Sequence, residues 1–201
     1  MFIKHLDSGG VTTLLVYVDN IIMTGNGELV KQTLRQCLTK EFEIKELGRL
    51  KYFLRIEVAH SKQVIFIFQQ KYVIDLLREI GKLACKPTCT PIDPNHKLRE
   101  TEEDTMVDRE MYQRLLGRLI YLSHTRPDIA YVVSVISQFM HNPKEVHLQA
   151  ANRVLQYLKG SPGKGILFKQ NLGLVLTYIN ADYAGSLGDR RSNYGVLHLS
   201  W

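Results

Sequence analysis

Cysteine is scarce in this chain of 201 residues, which has only Cys37, Cys85 and Cys89. An odd and sparse count without an export signal argues against a disulfide framework. Cys85 and Cys89 lie near His96 and are conceivable zinc ligands, but the spacing is incomplete and a fourth ligand is not evident. The sequence therefore favours reduced thiols over a disulfide-stabilised domain or a structural zinc site.

Long apolar runs are also lacking. The longest stretches, at positions 11–18 and 130–136, fall short of the roughly 20 residues that a membrane span needs. The N-terminal sequence MFIKHLDSGG has neither the basic start nor the apolar centre and cleavage site of a secretory signal. We therefore expect no membrane partner and, by default, a cytoplasmic location.

No extreme of composition is present. Hydrophobic residues make up 45% and charged residues 23%, which is typical of a globular protein and excludes disorder, collagen and coiled coil as classes. The net charge of +6 suits an anionic partner such as nucleic acid. Mild basicity is common among soluble proteins, so charge alone does not identify the partner.

The first 68 residues show strand and helix patterns in alternation. An apolar, β-branched run at 12–18, the polar pair Asp19 and Asn20, and a second run at 21–24 predict a β-hairpin with the polar pair at its tip. Apolar residues at helical spacing over 29–42 predict a helix with one face against a sheet. Strict alternation over 52–59 predicts a strand, and 64–68 predicts its return after a turn at 61–63.

Helical patterns dominate the middle of the chain. A helix over 72–80 ends at Gly81, and prolines give an extended connector that continues into an acidic loop at 100–104. Three helices follow, over 108–123, 125–140 and 144–159, the first with Asp108 as N-cap. The apolar residues expected to face inward on that first helix are Leu115, Leu116, Leu119 and Ile120. Strand-like patterns return at 166–168, 174–179 and 194–199, so the fold class is α+β.

The acidic hairpin is the first candidate site. Asp19 and Asn20 follow an apolar strand, and carboxylates held rigidly in this way can bind the magnesium ions that polynucleotide synthesis requires. Taken alone, Tyr-Val-Asp-Asn is a weak signal, because Asp and Asn are ordinary residues of hairpin turns. The surrounding sequence decides between the two interpretations.

Several segments of the chain resemble copia-type retrotransposon reverse transcriptases. The segment LLVYVDNIIMTGN is similar to the family's polymerase metal motif, in which Tyr-x-Asp-Asp stands at the hairpin. KYFLRIEV, HTRPDIAY and YINADYAGSLGDRRSNYG are similar to later segments of the same family, in the same order along nearly the whole chain. The combination is highly specific, and the sequence is identified as a member of this family.

The resemblance implies a right-hand polymerase followed by a ribonuclease H fold. Residues 1–68 would be the C-terminal part of the palm, with a primer-grip hairpin around 52–58. Residues 69–164 would be the helical thumb and connection, and 165–201 a truncated ribonuclease H-like segment. The implied partner is an RNA/DNA template–primer, with nucleic-acid contacts at Tyr17, Phe53 and Arg55. Arg190 and Arg191, with Lys159, Lys164 and Lys169, form a basic run that either meets phosphates or is merely solvated.

The chain departs from the family at positions that matter for catalysis. Asn20 replaces the second aspartate of the polymerase motif, which leaves Asp19 as the surviving catalytic residue and metal ligand. Asn180 replaces the first ribonuclease H aspartate, whereas Asp182 is kept. Arg55 stands where the family has glycine. Mg²⁺ is the family's cofactor, and we expect it not to be bound productively here.

Both ends of the sequence are expected to be cut. The upstream palm aspartate and the fingers would precede Met1, and further ribonuclease H acids would follow Trp201. The first hypothesis is therefore a reverse transcriptase fragment that is inactive as polymerase and as nuclease. The second is a non-catalytic nucleic-acid-binding remnant. The third is a non-functional product, whose incomplete palm leaves an open sheet edge and an exposed apolar helix face.

Other conspicuous residues favour structural roles. Arg126 and Asp128 fit a helix start better than a phosphate site. His147 and Arg153 are expected to be surface or packing residues. Gly117, which interrupts a helical stretch, predicts a close helix crossing.

Overall fold

The computed structural model describes residues 1–5, 9–18, 20–42, 44–93, 98 and 107–169, together with the backbone of two short strands near the C-terminus. The described residues form two compact units, one within Met1–Leu50 together with the two C-terminal strands, and one within Lys51–Asn171. The α+β class predicted from the sequence is confirmed. The sequence analysis divides the chain into the functional segments 1–68, 69–164 and 165–201, whose boundaries differ from those of the two units. These segments stay predictions.

The first unit contains a three-stranded antiparallel sheet and one helix. Strands β1 (Phe2–His5), β2 (Val11–Tyr17) and β3 (Asn20–Gly25) pair in that order, so the predicted hairpin is confirmed and β1 adds an edge that the pattern did not reveal. Helix α1 (Glu28–Glu41) follows directly. The backbone pair formed by β8 (Tyr178–Ile179) and β9 (Val196–Leu197) completes this unit.

Helix α1 does not bury its apolar face. None of its residues is buried, and Leu29 is 80% exposed. A groove of about 540 Å³ separates the helix from the sheet and is lined by side chains that include Phe2, Leu14 and Leu34. The sequence predicted that this helix would pack on a sheet, whereas the described residues leave it largely open.

The second unit combines a four-stranded sheet with four helices. Its sheet has the order β4 (Tyr52–Phe53), β5 (Ile56–His60), β6 (Val64–Phe68) and β7 (Gly165–Lys169), all antiparallel. Its helices are α2 (Gln70–Glu79), α3 (Arg109–Ser123), α4 (Pro127–Ser137) and α5 (Glu145–Gly160). Strand β7 returns beside β6 after nearly a hundred residues, which ties the end of the helical region to the sheet that precedes it.

The main core lies among these four helices. Its fully buried side chains come from one face of each helix and include Val73, Leu116, Leu119, Ile136 and Leu155. The boundaries of α3 agree with prediction, because the Asp108 carboxylate accepts hydrogen bonds from the backbone amides of Glu110 and Met111 at 2.9 and 3.2 Å.

Two expectations for α3 are wrong. Ile120, predicted to face inward, is 37% exposed, since the buried row runs through Tyr112, Leu115, Leu119 and Leu122. Gly117 does not mark a close helix crossing. It is exposed, and a Cβ atom at this position would meet nothing within 4 Å. Its presence in the helix has no packing reason.

Helix α4 ends three residues earlier than predicted, at Ser137 rather than Met140. The amides of Gln138, Phe139 and Met140 bond to carbonyls three residues back instead of four, at 3.2 to 3.3 Å. This tighter bonding is typical of a helix that ends in a 3₁₀ turn. The starts of α4 and α5 agree with the sequence analysis within one or two residues.

Arg126 is a structural residue, as the sequence favoured. Its side chain is 1% exposed and forms a bidentate pair with Asp128, with nitrogen–oxygen distances of 2.9 and 2.8 Å. It also donates to the backbone oxygen of Ser161 at 2.8 Å and to the hydroxyl of that serine at 3.0 Å. The hydroxyl of Tyr157 donates to Asp128 at 2.7 Å. This cluster fixes the start of α4 to the end of α5.

His147 and Arg153 on α5 also have structural roles. His147 is buried, accepts from the backbone amide of Lys144 at Nδ1, and therefore donates from Nε2 to the Leu98 carbonyl at 2.9 Å. Arg153 donates to the Thr90 hydroxyl at 3.0 Å and lies 3.6 Å from the Asp93 carboxylate. These contacts hold the proline-containing connector against the helix.

Further expectations concern the thiols and the membrane. Cys37, Cys85 and Cys89 are free thiols, and His96 lies outside the described residues. Within the described part of the chain, no helix has the length and apolar character that crossing a membrane requires.

Candidate nucleic-acid site

The β2–β3 hairpin presents the predicted polymerase motif. Tyr17 pairs with Asn20, which leaves two positions between the strands. Asn20 is thus the first residue of β3 rather than part of the tip, and the tip lies one position earlier than the sequence suggested. Tyr17 is 49% exposed and Val18 is 78% exposed, with a positive φ of 49°. Asp19 lies outside the described residues.

The donor set at this hairpin fits Mg²⁺ poorly. Mg²⁺ prefers several hard, charged oxygen ligands in octahedral geometry. The motif as it stands offers the carboxylate of Asp19 and, from Asn20, one neutral amide oxygen. Among the residues with described positions, no group of three or more His, Cys, Asp or Glu side chains comes together.

Phe53 and Arg55 lie in a second hairpin, not in one continuous strand as predicted. Tyr52 pairs with Glu57 and Phe53 with Ile56, so the chain reverses at Leu54 and Arg55. Both turn residues have positive φ, 49° and 64°, which is the conformation of a type I′ turn. Such turns favour glycine, and the glycine that the resemblance implies for position 55 would suit this geometry.

The turn is held against the helical core by its own carbonyl groups. The hydroxyl of Tyr121 on α3 donates to the Leu54 carbonyl, and the side-chain amide of Gln69 donates to the Arg55 carbonyl at 3.4 Å. The guanidinium of Arg55 lies 5.6 Å from the centre of the Tyr72 ring. The β4–β5 turn thus has a fixed place on α2 and α3, within one compact unit.

Arg55→Gly is expected to be more stable than Arg55→Ala by about 1 kcal/mol, because a non-glycine residue in the left-handed region costs on the order of 1–3 kcal/mol. Both variants lose the cation–π contact with Tyr72. They differ in the strain at φ 64°. Urea unfolding of the two variants measures the difference directly. Equal midpoints would show that the turn does not require a left-handed residue.

The other residues predicted for the site have no described positions. Asn180, Asp182, Arg190 and Arg191 lie outside the described residues. Of the lysines grouped with those arginines, Lys159 donates to the Cys85 carbonyl, and Lys164 lies 3.2 Å from the Tyr157 hydroxyl. Lys169 is exposed at the end of β7. Two of the three lysines therefore have fold contacts of their own.

Sequence reasoning missed a basic surface on α3. Arg114 lies three positions before the exposed Gly117 and four positions before Arg118, and positions three and four apart are neighbours on a helix surface. Arg118 pairs with Glu79 on α2. The Arg-x-x-Gly-Arg spacing of residues 114–118 is the sequence signal of this surface.

Comparison with known proteins gives consistent results. The reverse transcriptase (RNA-dependent DNA polymerase) family profile matches residues 1–94, which include both hairpins. A retrovirus-related Pol polyprotein from transposon RE1 of Arabidopsis thaliana is 39% identical over 188 residues, 93% of this chain and 13% of the polyprotein. The corresponding polyprotein from transposon TNT 1-94 of Nicotiana tabacum is 29% identical over 206 residues, 98% of this chain and 16% of that protein.

A shorter relative covers a similar length. An uncharacterized mitochondrial protein of Arabidopsis thaliana is 35% identical over 183 residues, which are 90% of this chain and 76% of that protein. The chain thus spans about an eighth of the RE1 polyprotein but most of the mitochondrial protein. No solved structure matches the chain.

Proposed function

Because this chain belongs to the reverse transcriptase family of copia-type retrotransposon polyproteins, we propose that it binds template–primer but does not add nucleotides by itself. The observation that carries this proposal is Asn20 at the start of β3, opposite Tyr17. In the family this position is the second aspartate of the metal motif. Asn20 supports the absence of nucleotide addition, whereas the positive charge of residues 51–171 supports binding.

The absence of polymerase activity follows from the donor chemistry of the hairpin. Nucleotide addition requires two metal ions that activate the attacking hydroxyl and stabilise the leaving group. One carboxylate and one neutral amide do not hold two such ions. The loss even of an outer partner of a metal site costs about 10–100-fold in metal affinity or activity. Asn180 likewise supplies a neutral amide where the resemblance implies the first ribonuclease H aspartate. In this proposal the chain therefore has no ribonuclease H activity.

The binding half of the proposal is supported by the distribution of charge. Of the 26 Lys and Arg residues, 18 lie within 51–171, and of the 20 Asp and Glu residues, 12 lie there. The rest of the chain carries eight of each sign, so the whole net charge of +6 belongs to the unit that contains α2–α5. In this proposal residues 1–68 serve as palm, 69–164 as thumb and connection, and 165–201 as the start of a ribonuclease H-like segment.

The β4–β5 turn supports a role in holding the primer. In this proposal it serves as the primer grip that the resemblance implies around residues 52–58, and its carbonyls are hydrogen-bonded to Tyr121 and Gln69. A rigid turn fixed on helices can keep a bound strand in one position. The proposed partner is an RNA–DNA duplex, which is the template–primer that the resemblance implies.

Duplex binding by the chain is expected to weaken by about 40- to 150-fold between 50 and 200 mM salt, if three to four phosphates are neutralised. The physical reason is the release of condensed counterions from the nucleic acid. Fluorescence anisotropy of a labelled RNA–DNA duplex measures this dependence. An affinity that does not change with salt, or no binding at 50 mM salt, would contradict the binding half of the proposal.

A further inference from the structure

Three arginines lie where the β4–β5 turn, α2 and α3 meet, and one of them pairs with a carboxylate. Arg114 and Arg118 are four positions apart on α3, and the guanidinium of Arg55 lies 5.6 Å from the ring centre of Tyr72 on α2. Arg118 binds Glu79 through both of its terminal nitrogens, with Nη2 lying 2.7 Å from Oε1 and Nη1 bonding to Oε2. These hydrogen bonds lower the pKa of Glu79 from its usual value, and the charges of Arg114 and Arg55 lower it further, against the opposing effect of burial. We call Arg55, Arg114, Arg118 and Glu79 the arginine face. Its formal net charge is positive, with three cations and one anion.

Gly117 lies on α3 one turn from Arg114. It is exposed, and a Cβ atom added there would meet no neighbouring atom within 4 Å. A glycine in a helix interior costs about 1 kcal/mol relative to alanine. Nothing in the described fold offsets that cost. The missing side chain leaves the backbone of α3 open to close approach beside Arg114.

We propose that the arginine face binds the sugar–phosphate backbone of a nucleic-acid duplex, with Gly117 giving the strand close access to α3. This inference rests on the proposed template–primer binding and assigns it a surface. The planar fork of an arginine matches a phosphate group with two parallel hydrogen bonds. The phosphates of a duplex are therefore anions that these guanidinium groups can bind.

Glu79 acts as an internal competitor on this surface. Its carboxylate occupies the fork of Arg118, which is the group that would hold a phosphate. Both side chains are accessible, with 61% of Glu79 and 30% of Arg118 exposed, so an incoming strand can displace the carboxylate. Binding then exchanges one charge-assisted pair for another, and removal of the carboxylate should strengthen it.

The test uses the full chain and a labelled RNA–DNA duplex at low salt. Arg118→Gln and Arg114→Gln are each expected to weaken binding by about 5- to 10-fold and to reduce the salt slope by about 1, as for the loss of one phosphate contact. Glu79→Gln is expected to tighten binding several-fold. Lys62→Gln, which removes the same charge from the exposed turn between β5 and β6, is the matched control and should change binding less than twofold.

Gly117→Leu separates binding from folding. Leucine is a better helix former than glycine, and the space around position 117 is open, so the unfolding midpoint should stay the same or rise. Binding should nevertheless fall by about tenfold, because the side chain covers the α3 backbone beside Arg114.

Several results would overturn this assignment. If the wild-type chain binds duplex with the expected salt dependence, but the arginine and glycine variants match it within twofold, the arginine face is not the site and template–primer binding stands. Equal losses in Lys62→Gln and Arg118→Gln would show general charge attraction without a defined surface. Weaker binding by Glu79→Gln would contradict the competitor role. Absence of any duplex binding would remove both proposals together.

Discussion

Asp128→Asn is expected to lower the free energy of unfolding by about 3 kcal/mol, because it leaves a buried guanidinium without its counter-charge. Arg126 is 1% exposed, and its two short bonds to Asp128 are its only contacts with a carboxylate among the described residues. The amide of asparagine keeps the shape but supplies one neutral oxygen. Urea unfolding followed by circular dichroism measures the loss.

Two variants serve as controls for this prediction. Asp75→Asn makes the same change in the exposed pair with Arg78, and about 0.5 kcal/mol or less is expected there. Tyr157→Phe removes only the hydroxyl that donates to Asp128, and about 1 kcal/mol is expected. Similar losses for Asp75→Asn and Asp128→Asn would show that burial of Arg126 does not govern the effect.

The same pair gives stability a defined dependence on pH. Burial raises the pKa of Asp128, but the hydrogen bonds from Arg126 and Tyr157 outweigh it, so the pKa lies below the usual value. A carboxylate with a lowered pKa stabilises the fold above its unfolded pKa of about 3.9, and the contribution is lost as the pH falls through the lower, folded value. The difference in unfolding free energy between wild type and Asp128→Asn should therefore have its full size at pH 6 and become smaller below about pH 4.

Gly165→Ala is expected to destabilise the second unit by about 3 kcal/mol, because a Cβ atom there overlaps the backbone of β6. The atom would lie 2.1 Å from the Ile67 carbonyl oxygen and 2.9 Å from the Cα of Phe68. Neither is the end of a flexible side chain that can move away. Strand β7 must then shift from β6, and the register that places Gly165 opposite Phe68 is lost.

Gly163→Ala is the matched control for this effect. Its added Cβ atom would lie 3.7 Å from the side-chain oxygen of Gln70, which is ordinary contact distance. We expect a change of less than 1 kcal/mol in unfolding free energy for Gly163→Ala. A comparable loss in both variants would indicate a general intolerance of this loop rather than close approach of β7 to β6.

Local signals were sufficient where one residue type dictates the backbone. Asp108 caps the start of α3, as the sequence predicted. Gly81, with φ 70°, follows the end of α2, also as predicted. The β2–β3 hairpin followed from two β-branched runs around a polar pair. In each case short-range chemistry and the final fold agree.

The errors arose where tertiary contacts override the local pattern. Positions 52–59 alternate perfectly, yet Leu54 and Arg55 form a turn because Tyr121 and Gln69 bind its carbonyls. Neither residue carries the glycine or asparagine signal of a type I′ turn. Strand β7 was recognised as a strand, but its pairing with β6 depends on the path of four helices and leaves no mark in the sequence.

The candidate site was also predictable from the sequence only in part. The resemblance drew attention to the hairpin that carries Asn20 and to the turn that carries Arg55, and it implied a departure from the family at both positions. It did not reveal the arginine face, since Arg55, Glu79 and Arg118 are distant in the sequence and meet only in the folded unit. The exposure of Gly117, which separates a packing role from a binding role, is likewise visible only in three dimensions.

Primer extension by the purified chain tests the central claim most directly. The chain is first saturated with a labelled template–primer, as followed by anisotropy, and then given Mg²⁺ or Mn²⁺ and all four deoxynucleotides. We predict that the primer binds but is not extended, because Asn20 leaves a single carboxylate at the hairpin. Extension that disappears in Asp19→Ala would show a working polymerase site and contradict the account.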